Sequence, residues 1–364
     1  MQTTVGVAWD DRRWTGRPSA RRQSFPAAAA SSIASDASVA HGSAGGWLPP
    51  VATRNSKTMI DVDAITIRPA CRTDLVPLVE FLLTTPPTPG DPSPPSAVST
   101  RDLPNYLVAQ HDGRLVGTIH AQPAAGRCAA IGLPRLLAWD EHLAARLFRA
   151  AAEHAERRHE ARLIQTLLAP ERAEPAVAAL ERAGYAPLAT LAYMRRPITS
   201  ADFVRCPENE ITWHHYSRLR HHKFAEAIDV IYEGTLDCPD LAGLRSVHDS
   251  ISTHKNTGQF QPRRWRLAVM GRTTVGVALV NELRGRGELV YLGLVPAARG
   301  QGIGRALVDR AIQDTAEMGL PRLGLAVDTR NEPALRLYHC VGFSETHRRL
   351  AYFMPGHRLE TLEA

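Results

Sequence analysis

Leu292-Gly293-Leu294-Val295-Pro296-Ala297-Ala298-Arg299-Gly300-Gln301-Gly302-Ile303-Gly304-Arg305 is the stretch from which the rest of the 364-residue chain can be read. An apolar strand runs into a turn with glycines at alternate positions. An amphipathic helix follows at once, with Ile303, Ala306, Leu307 and Ala311 on one face. Glycine removes the side chains that would keep an anion away from the backbone. The first N–H groups of a helix have no intrahelical partner, and the helix dipole favours negative charge beside them. Together these features predict a pyrophosphate cradle, flanked by the charges of Arg299 and Arg305. A dinucleotide fingerprint, Gly-x-Gly-x-x-Gly, would need a third glycine where Arg305 stands. A P-loop would need Gly-Lys-Ser/Thr at the helix start, which is absent. The plainer alternative is a tight strand-to-helix turn that holds no ligand.

Outward from this turn, the pattern gives a strand near 211–213, helices up to about Asn256, and a hairpin of 267–270 with 275–280. A strand over 289–294 leads into the glycine turn. After the helix come a strand over 323–327, a helix over 333–341, and final strands to Met354. The first half repeats this order as an imperfect copy. Val116-Gly117 matches Val275-Gly276, Gly184-Tyr185 matches Gly342-Phe343, and Ala192-Tyr193 matches Ala351-Tyr352, all at an offset of 158 or 159 residues. Its expected elements are a strand (65–68), a helix (74–83), a proline-packed loop (86–96), and a hairpin turning at Asp112-Gly113. A short strand (130–133), an amphipathic helix carrying Leu143, Leu147, Ala150 and Ala151, a strand (163–168), a helix (175–183) and closing strands complete it. Strands and helices in this order predict an α/β (α+β) fold on a mixed, mostly antiparallel sheet. Three parts are expected: a tail over 1–58, a first domain over 59–199 and a second over 200–364.

Residues 1–58 are rich in Ala, Ser, Gly and Arg with no apolar period, which reads as disorder. Met59 stands just before the first strand, so a start at Met59, with the tail a mis-assigned extension, is one expectation. The tail holds seven basic residues against three acidic ones and so carries most of the net charge of +6. The remainder is close to neutral, and basicity gives no case for a nucleic-acid partner. Five cysteines without CxxC pairing suggest a reducing, cytoplasmic setting and no metal site. No run of about 18 apolar residues predicts a membrane span. His214-His215 and His221-His222 lack a carboxylate or cysteine at ligand spacing, and read as surface or acceptor-pocket histidines.

A second block supports the first: Asn331, Ala334, Leu337-Tyr338 and Gly342-Phe343. With the Arg299, Gly300, Gly302 and Gly304 spacing, the second half resembles the GNAT N-acetyltransferase superfamily. By weaker pattern the resemblance extends over 64–197, giving a tandem arrangement with a degenerate first copy. It implies acetyl-CoA as co-substrate, held between two splayed strands, 289–294 and 323–327. The pantetheine arm would run along the first strand at Leu294 and Val295. The pyrophosphate would sit on the amides of Gly300, Gln301, Gly302, Ile303, Gly304 and Arg305. A bulge near Leu294 would aim a backbone N–H at the thioester carbonyl. A primary amine on a small molecule or peptide would attack directly. Glu288 is the expected general base, with Glu282 and Asp328 in reserve, and Tyr338 the expected general acid. At the position where ribosomal-protein N-terminal acetyltransferases carry their base stands Ala326, a departure from that subgroup. Asn331 would bond the pantetheine or cap its helix, begun by Glu332-Pro333.

The first copy has no glycine between Ile131-Gly132-Leu133-Pro134 and its helix, which starts with Asp140 and Glu141. Acids there repel a pyrophosphate, so this half is expected to support the second or to shape its acceptor site. Asp237, Asp240, His248 and His254 lie where acceptor-binding helices are expected, although solvated helix residues would look the same. A non-catalytic module that binds acetyl-CoA as a sensor or scaffold is the alternative reading. The sequence leaves the oligomeric state open.

Overall fold

Asp112 and Gly113 both take positive φ, 49° and 74°, the two-residue turn whose twist matches paired strands. It joins β2 (Tyr106–His111) to β3 (Arg114–Ala124), and its counterpart joins β9 (Trp265–Met270) to β10 (Thr273–Leu283). The computed structural model describes residues 64–88, 98–171, 173–203 and 210–355. The expected tail over 1–58, Met59 and most of the 86–96 loop lie outside them.

The first half adds β1 (Thr66–Pro69), α1 (Leu75–Thr84), β4 (Cys128–Ile131), a short β5 (Arg135–Leu136), α2 (Glu141–His159), β6 (Leu163–Leu168), α3 (Glu174–Ala183) and β7 (Ala186–Pro197). The second adds β8 (Ile211–His215), α4 (His221–Tyr232), α5 (Val247–Asn256), β11 (Arg286–Leu294), α6 (Ile303–Glu317), β12 (Arg322–Asp328), α7 (Glu332–Cys340) and β13 (Ser344–Pro355). Local chemistry sets the helix ends. Asp140 Oδ1 accepts the Leu143 N–H at 2.8 Å at the start of α2. Gly184 stops α3 with φ 96°. Asn331 caps α7 through Ala334 N–H at 3.3 Å. Among the described residues, no helix is long and apolar enough to cross a membrane.

The closing strands of the two halves are exchanged. Each half closes on one long strand where several were expected, and the thirteen strands of the described residues form one sheet. Its main order is β1-β2-β3-β4-β6-β13-β7-β12-β11-β10-β9-β8, with β5 beside β3. Thus β13 of the second half pairs with β6 of the first, and β7 of the first pairs with β12 of the second. The two meet antiparallel at the centre, where Thr190 faces Leu350 and Leu191 faces Arg349. An offset of 159 residues turns one of these pairs into the other, which is the signature of an internal two-fold axis. Among the described residues, only β4 with β6 and β11 with β12 run parallel. The cores follow the exchange: Tyr352 of β13 packs in the first core, and Ala192 and Met194 of β7 in the second.

Candidate active site

The glycine turn has the expected geometry. β11 ends with the Val295 N–H donating to Val275 O at 3.1 Å, and a short 3-10 turn, Pro296–Ala298, follows. Gly300 and Gly302 both take φ 77°. A Cβ at either would meet nothing within 4 Å, so backbone conformation, not crowding, requires glycine here, and the turn faces open space. The first helical bond of α6 returns from Arg305 N–H to Gly302 O at 3.0 Å. The N–H groups ahead of it precede the intrahelical ladder. Ile303 and Gly304 are buried and root the helix in the second core.

The charged flanks are arranged differently from the sequence expectation. The Arg299 guanidinium donates to Leu294 O at 3.3 Å, Ile231 O at 2.9 Å, Glu233 O at 2.8 Å and Gly234 O at 3.1 Å. It satisfies orphan carbonyls at the end of α4 and ties that helix to the turn. Arg305 Nε bonds both Asp309 oxygens at 2.9 Å along the outer face of α6. Gln301 Nε2 folds back onto Ala297 O at 2.7 Å.

Beside the turn the sheet opens. β11 and β12 pair only at Gly287 with Leu323 and Glu288 with Gly324, whereas β11 follows β10 as far as Leu294. Bonded and non-bonded residues alternate in an antiparallel ladder. Because Val295 bonds to Val275, the N–H and C=O of Leu294 and Leu292 face away from β10, toward the gap. The Arg299 bond to Leu294 O agrees with that orientation. The bulge lies at Val290, where the register slips between Leu279 and Val280, and not near Leu294 as expected. The extra residue turns both Val290 and Tyr291 to the α4/α5 side, while Leu289, Leu292 and Leu294 pack against α6.

Glu288 lies on the α4/α5 face at the closed end of this gap. Its neighbour Gly287 faces the other way: a Cβ there would lie 2.6 Å from Thr315 Cγ2 on α6. Across β10, Asn281 is its register partner, and Asn281 Nδ2 donates to His254 O of α5 and to Thr257 O just past its end, at 2.7 and 2.8 Å. Across β12, the bare Gly324 makes room, since a Cβ there would sit 2.8 Å from Glu288 Oε2. Arg286 Nε donates to the same oxygen at 3.1 Å. Burial raises the Glu288 pKa above its ordinary value, against the opposing charges of Arg286 and Arg195.

Tyr338 lies on the other face. It is fully buried in the second core, with its ring centroid 5.6 Å from that of Phe343. Glu288 and Tyr338 can therefore serve one reaction only through the gap between β11 and β12. Asn331 is likewise fully buried as the α7 cap. The reserve base Asp328 is committed elsewhere: it accepts from Cys238 N at 3.2 Å, Arg330 N at 2.9 Å and the Arg330 guanidinium at 2.7 Å. Glu282 holds Gln259 through reciprocal backbone bonds.

Of the residues expected near an acceptor, Asp237 is buried and accepts the Asp328 N–H at 2.8 Å, and Asp240 pairs with Arg330 at 3.3 Å. His254 is not the solvated helix residue its pattern allowed. It is fully buried 5.2 Å from the Tyr291 ring, with no hydrogen-bond partner for either ring nitrogen. Burial pushes its pKa down to about 3. Lys255, Tyr216, His221 and His248 form a hydrogen-bonded chain with steps of 2.6, 3.1 and 3.2 Å. Among the described residues, no three His, Cys, Asp or Glu side chains come together as a metal site.

The first half reaches α5 directly. Arg127, in the β3–β4 turn, grips Asp249 with contacts of 2.6 and 3.1 Å, and Thr253 Oγ1 donates to Ala125 O at 2.9 Å. A Cβ on Gly126 would overlap Asp249 O. At the first half's own strand-to-helix junction, the Asp140 carboxylate occupies the amide that an anion would need.

Residues 234–343 match the model of the acetyltransferase (GNAT) family. Over 69 residues the chain is 39% identical to a mycothiol acetyltransferase of Thermomonospora curvata, covering 19% of this chain and 23% of that one. Over 104 residues it is 31% identical to a mycothiol acetyltransferase of Streptomyces scabiei, covering 28% and 34%. The matches thus span about a quarter to a third of these curated relatives. A solved GCN5-related N-acetyltransferase from Sphaerobacter thermophilus is similar in fold, with a TM-score of 0.54 and 20% identity over 80% of this chain and 96% of that one. The open glycine turn and the gap beside it lie inside the stretch that matches the acetyltransferase (GNAT) family model.

Proposed function

We propose that the protein is an N-acetyltransferase that moves an acetyl group from acetyl-CoA to an amine-bearing acceptor, with the chemistry in the second half. The observation that carries this reading is the open glycine turn at the start of α6 next to the β11–β12 gap. Backbone amides of residues 300–304 fit a pyrophosphate, and the gap-facing edge at Leu292 and Leu294 fits an amide-bearing arm. Acetyl-CoA supplies an activated acyl group on a good leaving thiolate. The N–H of Leu294 faces the gap, where it can polarise an acyl carbonyl. Glu288, its pKa raised by burial, is suited to take a proton from the attacking amine near neutral pH. Tyr338, across the gap, is the candidate donor to the departing sulfur.

A base that must be ionised gives a rate that falls as pH drops through its pKa. The acidic limb is therefore expected above the ordinary glutamate range. The test is thiol release from acetyl-CoA with a panel of primary amines, including the acceptor of the mycothiol acetyltransferases. Glu288→Gln is expected to lower kcat by about 10²–10⁴-fold and to remove the acidic limb. Unchanged kcat and limb would overturn the base assignment. Tight acetyl-CoA binding without turnover by the wild type would favour a sensor or scaffold.

A further inference from the structure

The row of residues beside Glu288 runs across strands from both halves. In register, Asn281 of β10 faces Glu288 of β11, Glu288 faces Gly324 of β12, and Gly324 faces Arg195 of β7. Partners in register lie on the same face of a sheet, so Arg195 and Glu288 flank the bare Gly324 from opposite sides. Gly324 is the one position of the row with no side chain, and the Glu288 carboxylate fills the space above it. Arg195 belongs to the first half of the chain and arrives through the exchanged strand.

We infer that Arg195 is a positioning residue for the second half's site: its guanidinium holds the Glu288 carboxylate ionised and turned over Gly324, on the acceptor face of the β11–β12 gap. This rests on the reading of Glu288 as the base. The base of one half then depends on a charge from the other, so the exchange of closing strands is a functional link as well as a structural one. Other groups lie on the same face of the sheet as Glu288. β11 contributes Arg286, bonded to the same carboxylate, and Tyr291. β12 contributes Arg322, two residues from Gly324. From β10 comes the neutral Asn281, from β13 the neutral Ser344 behind Arg195, and from α5 the buried His254. Arg286 and Arg195 are the two charges that oppose the effect of burial on Glu288. Arg286 is a neighbour on the same strand, whereas Arg195 reaches the site only because β7 has crossed over.

The test titrates the full chain, labelled with 13C at the glutamate carboxyl carbons, by NMR, with the Glu288 signal assigned by its loss in Glu288→Gln. This readout needs no acceptor. In Arg195→Gln the Glu288 midpoint is expected to move to higher pH, because a cation that favours the charged form is gone. In Arg195→Lys, which keeps a positive charge, it is expected to stay near the wild-type midpoint. Should Arg195→Gln not fold, Arg195→Met, of similar reach and without charge, replaces it. A merely structural role would lower stability and leave the midpoint in place. Coincident midpoints in wild type and the neutral variant would overturn the inference. If Glu288→Gln keeps full thiol-release activity, the base reading falls, while the titration still decides whether Arg195 holds Glu288.

Discussion

His254 shows how strongly one residue can depart from its local pattern. On α5 it reads as a polar helix position, yet it is fully buried with both ring nitrogens unpartnered. An unsatisfied buried polar group costs about 1–3 kcal/mol, and an apolar ring of similar size avoids that cost. His254→Phe is therefore expected to raise the midpoint of urea unfolding at pH 7. The pH dependence has a definite sign. The folded pKa, pushed down to about 3, lies below histidine's ordinary value of about 6.5, so the unfolded chain binds the proton first. Stability is lost as pH falls from about 6.5 toward about 3, and the variant is expected to lose less of it over that window. A lower midpoint for His254→Phe at pH 7 would show that the ring nitrogens are satisfied in solution. Glu288 and Arg195 are the counterexample, since the roles proposed for them come from where their neighbours are placed across the sheet. Nothing in the local sequence of Arg195 marks it, and 92 intervening residues separate it from Glu288.

At the scale of elements, α5 is held by the first half through the β3–β4 turn. It is held from below by Asn281 and from the side by the β3–β4 turn through Arg127 and Thr253. Arg127→Ala removes a two-pronged contact to Asp249, which is part-buried. With that anchor gone, KM for the acceptor is expected to rise several-fold while the acetyl-CoA Kd stays within about twofold, because Arg299 ties the glycine turn to the end of α4 and not to α5. A change confined to acetyl-CoA binding would contradict this division of labour. The elements themselves were largely legible. β6 follows the expected 163–168 strand, and the α3 and α7 boundaries and the start of α6 lie within a residue or two of their patterns. Hydrophobic period, caps and glycine stops are local signals, so a single sequence carries them. The Val290 bulge was not legible, because it depends on the register against β10 and leaves no distinctive residue behind.

At the scale of the molecule, the repeat at offset 158–159 was visible in the sequence, but the exchange was not. A closing strand has the same alternation whether it returns to its own half or crosses to the other, and only tertiary pairing distinguishes the two. The consequence is that neither half is a complete sheet. A chain of residues 200–364 lacks β7, which leaves the edge of β12 unpaired and removes Ala192 and Met194 from the second core. Losing a fully buried side chain of that size alone costs about 2–5 kcal/mol, of the order of a whole domain's net stability. The isolated second half is expected to show no cooperative thermal transition, and the same piece with residues 186–197 restored to it is expected to regain one. A cooperative melt of residues 200–364 at the full chain's Tm would contradict the exchange.

The front of α6 is proposed to hold the pyrophosphate of acetyl-CoA, and calorimetric titration of acetyl-CoA into the full chain measures that grip. Gly302 takes φ 77° in open space, so Gly302→Val distorts the cradle without a packing clash. The wild type is expected to bind saturably at one site, and the variant at least about tenfold more weakly, a loss of about 1.4 kcal/mol. No binding by the wild type, or equal binding by both, would contradict the account.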